Sequence, residues 1–417
     1  MAKKFQTIRG MNDLLPADAP YWQLLESACR SAARQYAYQE IRFPIIESTG
    51  LFKRTVGEQT DIVEKEMYTF DDRNGDSLSM RPEGTAGCVR AALQAGLLYN
   101  QRQRLWYLGP MFRHERPQKG RYRQFHQFGM EAFGFASPAV EVEQLLAVKT
   151  IFTELGLLGK VSLQINSLGS AASRQSYREA LVAYLGQYKA DLDEDSLRRL
   201  DSNPLRILDS KNPALADIIQ AAPAMIDYLD SESEAHFKQL CQLLDAVGLQ
   251  YQVNPAIVRG LDYYCHTVYE WVTDELGAQG TVCAGGRYNG LVEQLGGKPS
   301  FAVGFAMGLE RLVLLLRAQR NCEQNVDVYL VVADGAQGRA LQVSSQLRSQ
   351  LPDLIVQMDA SGASLKSQFK SAAKAAARYA VIIADDELQN ETLTVKNLTS
   401  SDQQQGQSLQ QVIALLQ

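Results

Sequence analysis

No stretch of this chain approaches the roughly 20 consecutive apolar residues that a membrane-spanning helix needs. The opening run Met1-Ala-Lys-Lys-Phe-Gln6 carries charge with no apolar core behind it, unlike a secretory leader. Cysteine is sparse and scattered: Cys29, Cys88, Cys241, Cys265, Cys283 and Cys322 form no C-x-x-C pair. That pattern excludes a disulfide scaffold or a thiolate zinc site and reads as reduced thiols of a cytoplasmic protein. An excess of positive charge is also missing. The net charge of −5 gives no sequence-wide affinity for nucleic acid, so any RNA contact falls to local basic patches. A length of 417 residues exceeds one typical domain and predicts two or three.

What is present divides along the chain. Residues 21–37 carry Trp22, Leu24, Leu25, Ala28, Ala32 and Ala33 at helical spacing. Residues 40–46 read as a strand interrupted by Pro44, and proline fits a sheet only at an edge, a strand start or a bulge. Residues 67–80 read as two strands about an Asn-Gly turn. Strands follow near 104–113 and 124–135, giving an antiparallel sheet with helices against it. The segment 172–250, rich in Ala, Leu, Asp and Glu, reads as a helical insertion. Strand pattern returns at 266–273 and 280–284, and the apolar density of 305–317 predicts a buried helix. The polar segment 317–325 reads as a linker. Beyond it, strands at 326–332, 354–358 and 379–384 alternate with helices at 336–350 and 364–378, the pattern of a small α/β domain. The expected domains are 1–171 and 251–320 as two parts of one unit, 172–250 as its insertion, and 326–417.

Two runs suit anion binding. Phe112-Arg-His-Glu115 leads into a loop with Lys119, Arg121 and Arg123, then a strand containing Phe125 and Gln127. Guanidinium forks match phosphate oxygens bidentately, and an aromatic face suits a nucleobase. A solvated basic hairpin is the plain alternative for these residues taken alone. Further on, Arg311 follows Gly304-Phe-Ala-Met-Gly-Leu-Glu310 in an apolar helix. A buried arginine needs a partner, either Glu310, another carboxylate or a bound anion. Two more runs concentrate chemistry: Arg259-Gly-Leu-Asp-Tyr-Tyr264, and Ala284-Gly-Gly-Arg-Tyr-Asn-Gly290, whose glycines suit close backbone approach to a small ligand.

Together these elements resemble the class II aminoacyl-tRNA synthetases, with motif 1 at 21–46, motif 2 at 112–127 and motif 3 at 304–311. The two later runs resemble the histidine-specific signatures of the histidyl-tRNA synthetases, closest to the bacterial ones, as do Arg9–Asp13 and Arg81-Pro-Glu-Gly-Thr85. The likeness covers essentially the whole chain. It implies an α+β fold: an antiparallel sheet flanked by helices, a helical insertion and a C-terminal α/β anticodon-binding domain. It implies a histidine–tRNA ligase that forms histidyl-adenylate from histidine and ATP and transfers the histidyl group to the tRNA 3′ end. ATP would bring Mg2+ on its phosphates, with no metal held by the protein itself.

By the same resemblance, Arg113 and Arg259 are the catalytic cations at the histidine carboxylate and α-phosphate. Arg121 and Arg311 hold the distal phosphates and the adenine face, Glu115 reads the adenine amino group and Phe125 stacks on the ring. Glu131 and Tyr264 read the two imidazole nitrogens. Glu83, Thr85 and Gln127 accept from the ammonium, and Tyr263 and Tyr288 line the pocket. Asn289 departs from the family, which has aspartate there, and removes a charge from the floor of the site. Cys265 and His266 are read as packing and surface.

The implied partners are histidine tRNA and a second copy of the chain through motif 1, with no membrane. The insertion would clamp the acceptor stem. The last domain has seven basic against nine acidic residues, yet Lys366, Lys370, Lys374 and Arg378 recur every four residues, a basic stripe along one helix. Two rivals are a catalytically dead paralogue that regulates the first enzyme of histidine biosynthesis, and a non-enzymatic RNA-binding protein. The first typically lacks the last domain and the ATP-binding arginines, and the second has no use for two histidine signatures.

Overall fold

The structure, a computed structural model, describes every residue except 1–3, 59, 209, 211, 258–260, 278–279 and 323–324, and excluding the side chains of 201 and 202. It divides into two compact units, Met1–Asn321 and Cys322–Gln417. Among the described residues, no helix is long and apolar enough to cross a membrane.

The first unit opens with α1 (Ala19–Gln35). Trp22, Leu25, Ala28, Cys29, Ala32 and Ala33 recur at helical spacing and are its buried face. Ala37, with φ of 60°, turns the chain out of the helix. The expected strand at 40–46 is split instead into β1 (Gln39–Glu40) and β2 (Ile46–Ser48). Pro44 has no N–H to offer a ladder, and the Phe43 carbonyl is taken by the Arg81 guanidinium at 3.0 Å. After α2 (Thr49–Val56), the Asn-Gly hairpin forms as expected from β3 (Thr69–Asp71) and β4 (Ser77–Met80), and β2, β4 and β3 make a small antiparallel sheet.

Next come α3 (Thr85–Gln94), β5 (Gln103–Phe112), β6 (Gln124–Phe133), α4 (Ala139–Glu154) and β7 (Ser162–Ser167). The helical stretch holds α5 (Ala171–Leu185), α6 (Glu194–Ser202), α7 (Ala216–Gln220) and α8 (Ser231–Ala246). Tyr177, Leu181, Ile207, Leu215 and Met225 close a small core of their own there, whereas Phe237, Leu240 and Leu244 of α8 join the main core. The unit finishes with β8 (Gln252–Val253), β9 (Cys265–Val272), β10 (Thr281–Arg287), α9 (Leu291–Gln294), β11 (Ala302–Gly308) and α10 (Leu309–Gln319).

One eight-stranded sheet organises this unit, in the order β1-β5-β6-β11-β10-β9-β7-β8, antiparallel except for the pairs at its two ends. The helix expected over 305–317 begins only at Leu309, because 302–308 is a central strand. Its residues alternate in size: Val303, Phe305 and Met307 enter the helix-side core, while Ala302, Gly304, Ala306 and Gly308 leave room on the other face. Strand β7 went unread, although Leu163 and Ile165 alternate into the same core.

The second unit contains β12 (Val328–Val332), α11 (Gln337–Gln350), β13 (Val356–Met358), α12 (Leu365–Lys374) and β14 (Tyr379–Ile383), the alternation expected. It continues through α13 (Asp385–Gln389), β15 (Leu393–Asn397), β16 (Gln403–Gln407) and α14 (Leu409–Leu416). The sheet order is β13-β12-β14-β15-β16, parallel through the first three strands and antiparallel beyond. The glutamine-rich strand β16 lies at one edge of that sheet. The basic stripe is shorter than expected. Helix α12 stops at Lys374, Ala376 takes φ of 49°, and Arg378 lies beyond it, paired with Asp327 at 3.2 Å.

Candidate active site

The period-two rule on β6 builds the site. Phe128, Met130 and Ala132 enter the helix-side core, so Phe125, Gln127 and Glu131 face the other way. A cleft of about 620 Å³ opens on that face. Glu83, Thr85, Arg113, Glu115, Arg121, Phe125, Gln127, Tyr263, Tyr264 and Arg311 all line it, ten of the expected site residues in one place. Arg259 lies outside the described residues. Glu131 and Tyr288 are buried behind the wall instead, 0% and 1% exposed.

Glu131 is held by hydroxyls. Oε1 accepts from Thr85 Oγ1 at 2.8 Å and from Tyr107 Oη at 3.1 Å, and Oε2 accepts from Tyr288 Oη. Burial pushes its pKa up to about 8, and these hydroxyl bonds limit the rise. The carboxylate lies across Gly304, its antiparallel partner on β11. A Cβ there would sit 2.6 Å from the carboxylate carbon and 2.8 Å from the Met130 carbonyl, so only glycine fits. Tyr107 went unread, and it occupies space that Gly129, its partner on β6, and Gly84 leave open. Strand register, which a single sequence does not display, was the missing information.

The neighbouring acceptors are set by α3. Glu83 receives the N–H groups of Thr85 at 2.7 Å and Ala86 at 2.9 Å, capping that helix. Burial raises the Glu83 pKa, while those two bonds and the charge of Arg113 lower it. Gln127 has a buried carboxamide oxygen with no hydrogen-bond partner among the described residues. An orphaned buried acceptor costs about 1–3 kcal/mol, a cost that a ligand donor relieves.

Among the described residues, three arginines line the cleft. Arg113 is fixed through Nε to the Pro82 carbonyl at 2.8 Å, and its guanidinium lies 5.3 Å from the Phe125 ring centroid. Arg121 pairs with Glu115 at 3.1 Å. Arg311 donates to the Thr281 carbonyl and does not pair with Glu310, whose carboxylate instead accepts from the N–H and Nδ1 of His126, each at 2.9 Å. Burial, then the like charge of Arg121, lowers the Arg311 pKa to about 10. Two guanidiniums close enough for one to disfavour the other's charge make a site for a polyanion. Tyr122, Glu270, Gln164 and Asn254 also line the cleft and were not anticipated.

The second signature plays a different part from the expected ligand contact. Arg287 is 1% exposed and grips Glu141 through Nε at 3.2 Å and Nη2 at 2.8 Å. Burial works against the Glu141 charge, but bonds from His236 and Arg287 hold its pKa at about 2. Gly285 makes room for the backbone of β11 rather than for a ligand. Asn289 is not on the pocket floor: its Oδ1 accepts the Ala302 N–H at 3.1 Å. His266 adopts φ of 50°, and its Nδ1 meets Ser233 Oγ at 3.2 Å.

An antiparallel sheet flanked by helices, with this arginine-lined cleft on one face, is the catalytic architecture of a class II aminoacyl-tRNA synthetase. The histidyl-tRNA synthetase family model matches residues 10–312, and that of the anticodon-binding domain matches 327–417. An apo histidyl-tRNA synthetase from S. aureus is 36% identical with a TM-score of 0.81, over 99% of this chain and 100% of that one. The chain belongs to the histidyl-tRNA synthetase family and is a histidine–tRNA ligase, using histidine, ATP and tRNA. Two further structures share the fold. A histidyl-tRNA synthetase from Nostoc sp. is 19% identical with a TM-score of 0.73, over 99% of each chain. A Bacillus halodurans ATP phosphoribosyltransferase regulatory subunit/histidyl-tRNA synthetase is 20% identical with a TM-score of 0.65, over 89% of this chain and 97% of that one.

Proposed function

We propose that this cleft divides the ligase reaction among its residues as follows. The histidine carboxylate attacks the α-phosphorus of ATP and pyrophosphate leaves. The terminal ribose hydroxyl of the tRNA then attacks the adenylate carbonyl and AMP leaves. Negative charge accumulates as two anions meet, so cations and positioning carry the first step. Arg113 and Arg259 neutralise the carboxylate and α-phosphate. Arg121 and Arg311 take the distal phosphates and the adenine face. Phe125 stacks on the base, and Glu115 accepts from its amino group once Arg121 turns to phosphate.

Histidine specificity rests on hydrogen-bond inventory. A neutral imidazole has one donor and one acceptor nitrogen. Glu131 and Tyr264 serve them, with Tyr263 as pocket wall and Tyr288 as the phenol that orients Glu131. Glu83, Thr85 and Gln127 receive the ammonium. The observation that carries this reading is the buried Gln127 oxygen, unpartnered among the described residues, in a cleft also lined by Glu83, Arg113, Arg121 and Arg311. It suits a zwitterion lying between acceptors and guanidiniums.

Mg2+ would be carried by the ATP phosphates, where it would offset charge on the leaving pyrophosphate; Glu270 of the cleft wall would supply a carboxylate of the kind such an ion takes beside phosphate and water. Residues 1–171 and 251–320 act as the two halves of the catalytic domain, 172–250 as an insertion that meets the acceptor stem, and 326–417 as the anticodon reader. The exposed Ile45, Ile46 and Phe70 favour a homodimer. Six free cysteines suit a reducing, cytoplasmic setting.

ATP–pyrophosphate exchange tests the assignment. Arg259→His is expected to slow exchange by orders of magnitude with ATP binding largely retained, and Glu131→Gln to raise the histidine KM. Exchange near the wild-type rate in the first variant would remove Arg259 from catalysis, and an unchanged KM in the second would move ring recognition to another group.

A further inference from the structure

We propose that Arg174, on the first turns of α5 in the helical segment and outside every motif described above, is a positioning residue that sets Tyr264 for histidine recognition. This rests on the reading that Tyr264 meets the imidazole. Arg174 Nη1 donates to the main-chain carbonyl of Tyr264 at 2.8 Å. Tyr264 is the last residue before β9, so the sheet ladder does not begin until the next position. The backbone is pinned on either side: the Asp262 N–H donates to the Val56 carbonyl at 3.2 Å, and the His266 N–H to the Gly169 carbonyl at 2.8 Å. Arg174 supplies the hold at the residue between these anchors.

The base of that arginine is itself rigid. Ser170 caps α5 by accepting the Ser173 N–H at 3.2 Å, and Asp230 takes the Ser173 hydroxyl at 2.6 Å while capping α8 through the Ser233 N–H at 2.8 Å. Helix α8 is anchored by Phe237, Leu240 and Leu244 in the main core. A fixed lever therefore runs from the core through two helix caps to the carbonyl of a residue in the cleft wall. Arg174 also opposes the effect of burial on the Asp262 carboxyl, together with Arg206, so its charge faces the same signature run from a second direction. A pocket side chain is only as well placed as the shell that holds its backbone. Losing one charged donor to a carbonyl corresponds to about a tenfold change in an equilibrium.

The test compares the full-length wild type with Arg174→Ala, Arg174→Lys, Tyr264→Phe and the Arg174→Ala/Tyr264→Phe pair in ATP–pyrophosphate exchange. Thermal unfolding is followed alongside. Arg174→Ala is expected to raise the histidine KM about tenfold with the ATP KM within about twofold of wild type. Arg174→Lys, which keeps a cationic donor, should lie between, and the double variant should be no worse for histidine than Tyr264→Phe alone. A raised histidine KM in Tyr264→Phe with none in Arg174→Ala overturns the proposal and leaves the pocket reading intact. An unchanged KM in Tyr264→Phe overturns the pocket reading and the proposal with it. Parallel rises in both KM values with a lowered Tm in Arg174→Ala and Arg174→Lys make the contact structural only, and overturn it too.

Discussion

Gly304 of β11 is paired directly with Glu131 of β6, and the glutamate side chain occupies the space a side chain at 304 would need. The position of the Glu131 carboxyl is therefore fixed by an absent methyl group on one strand as much as by the hydroxyls that bond it. Gly304→Ala is expected to raise the histidine KM at least tenfold and to lower Tm, since overpacking a full core costs about 1–3 kcal/mol. Exchange kinetics and thermal unfolding check this, and a variant with wild-type values for both would show that Glu131 has another place to go.

The elevated pKa of Glu131 gives stability a direction with pH. The folded protein holds this proton up to about 8, whereas an ordinary glutamate releases it near 4.5. Between those values the folded state binds more protons, so stability present below 4.5 is lost as pH rises through 8. In ligand-free protein, urea midpoints at pH 6 and pH 9 should fall further for wild type than for Glu131→Gln. Equal slopes in the two proteins would contradict the assignment.

Burial and then the charge of Arg121 disfavour the charged form of Arg311 in the ligand-free cleft. A polyanion should relieve this, so pyrophosphate is expected to raise Tm by binding the folded state alone. Arg311→Gln should shrink that shift and raise the ATP KM about tenfold, as loss of a charge-assisted bond implies. An undiminished pyrophosphate shift in the variant would place the phosphates elsewhere.

Glu310 binds His126 rather than the arginine beside it. This tie fixes the first turn of α10 against β6, with Arg311 and Gln127 one residue further along their respective elements. Glu310→Ala leaves a partly buried N–H without its acceptor, a cost of about 1–3 kcal/mol. The expected result is a lower Tm with a larger rise in the ATP KM than in the histidine KM.

Asn289→Asp introduces the residue that the family resemblance implies at this position. Because Oδ1 serves as an acceptor for the Ala302 N–H, either side chain fills the role. Exchange kinetics are expected to remain within about twofold of wild type, less than the loss of one hydrogen bond would cause.

Motifs that depend on local spacing were legible in the sequence, and contacts that depend on register were not. Arg113, Arg121, Arg311, Glu83, Glu115, Tyr263 and Tyr264 are legible because each lies in a short run of distinctive chemistry, whereas Tyr122 and Glu270 of the same cleft are not. The Asn-Gly hairpin and the α/β alternation after residue 326 follow from local turn and period signals. The strand 302–308 was hidden because glycine and alanine on one face dilute its alternation, and the apolar helix behind it extended the helical pattern backwards. Tyr107 and the true partner of Glu310 were hidden for another reason: each contact joins elements 24 and 184 residues apart. Arg287 has the look of a ligand-binding residue, yet Glu141, 146 residues away, claims it.

Strand β6 has two incompatible duties, one on each face. Phe128, Met130 and Ala132 fill the helix-side core, while Phe125 and Gln127 line the cleft and Glu131 lies behind its wall. Inserting or deleting one residue before Phe125 would turn Gln127 and Glu131 into the oily interior and present Phe128 and Met130 to the substrate. Such indels are thus barred here even where a point change is tolerated. The length of the loop before the strand is free to drift only if the strand's phase is kept, which makes the parity of this segment heritable in a way its individual letters are not.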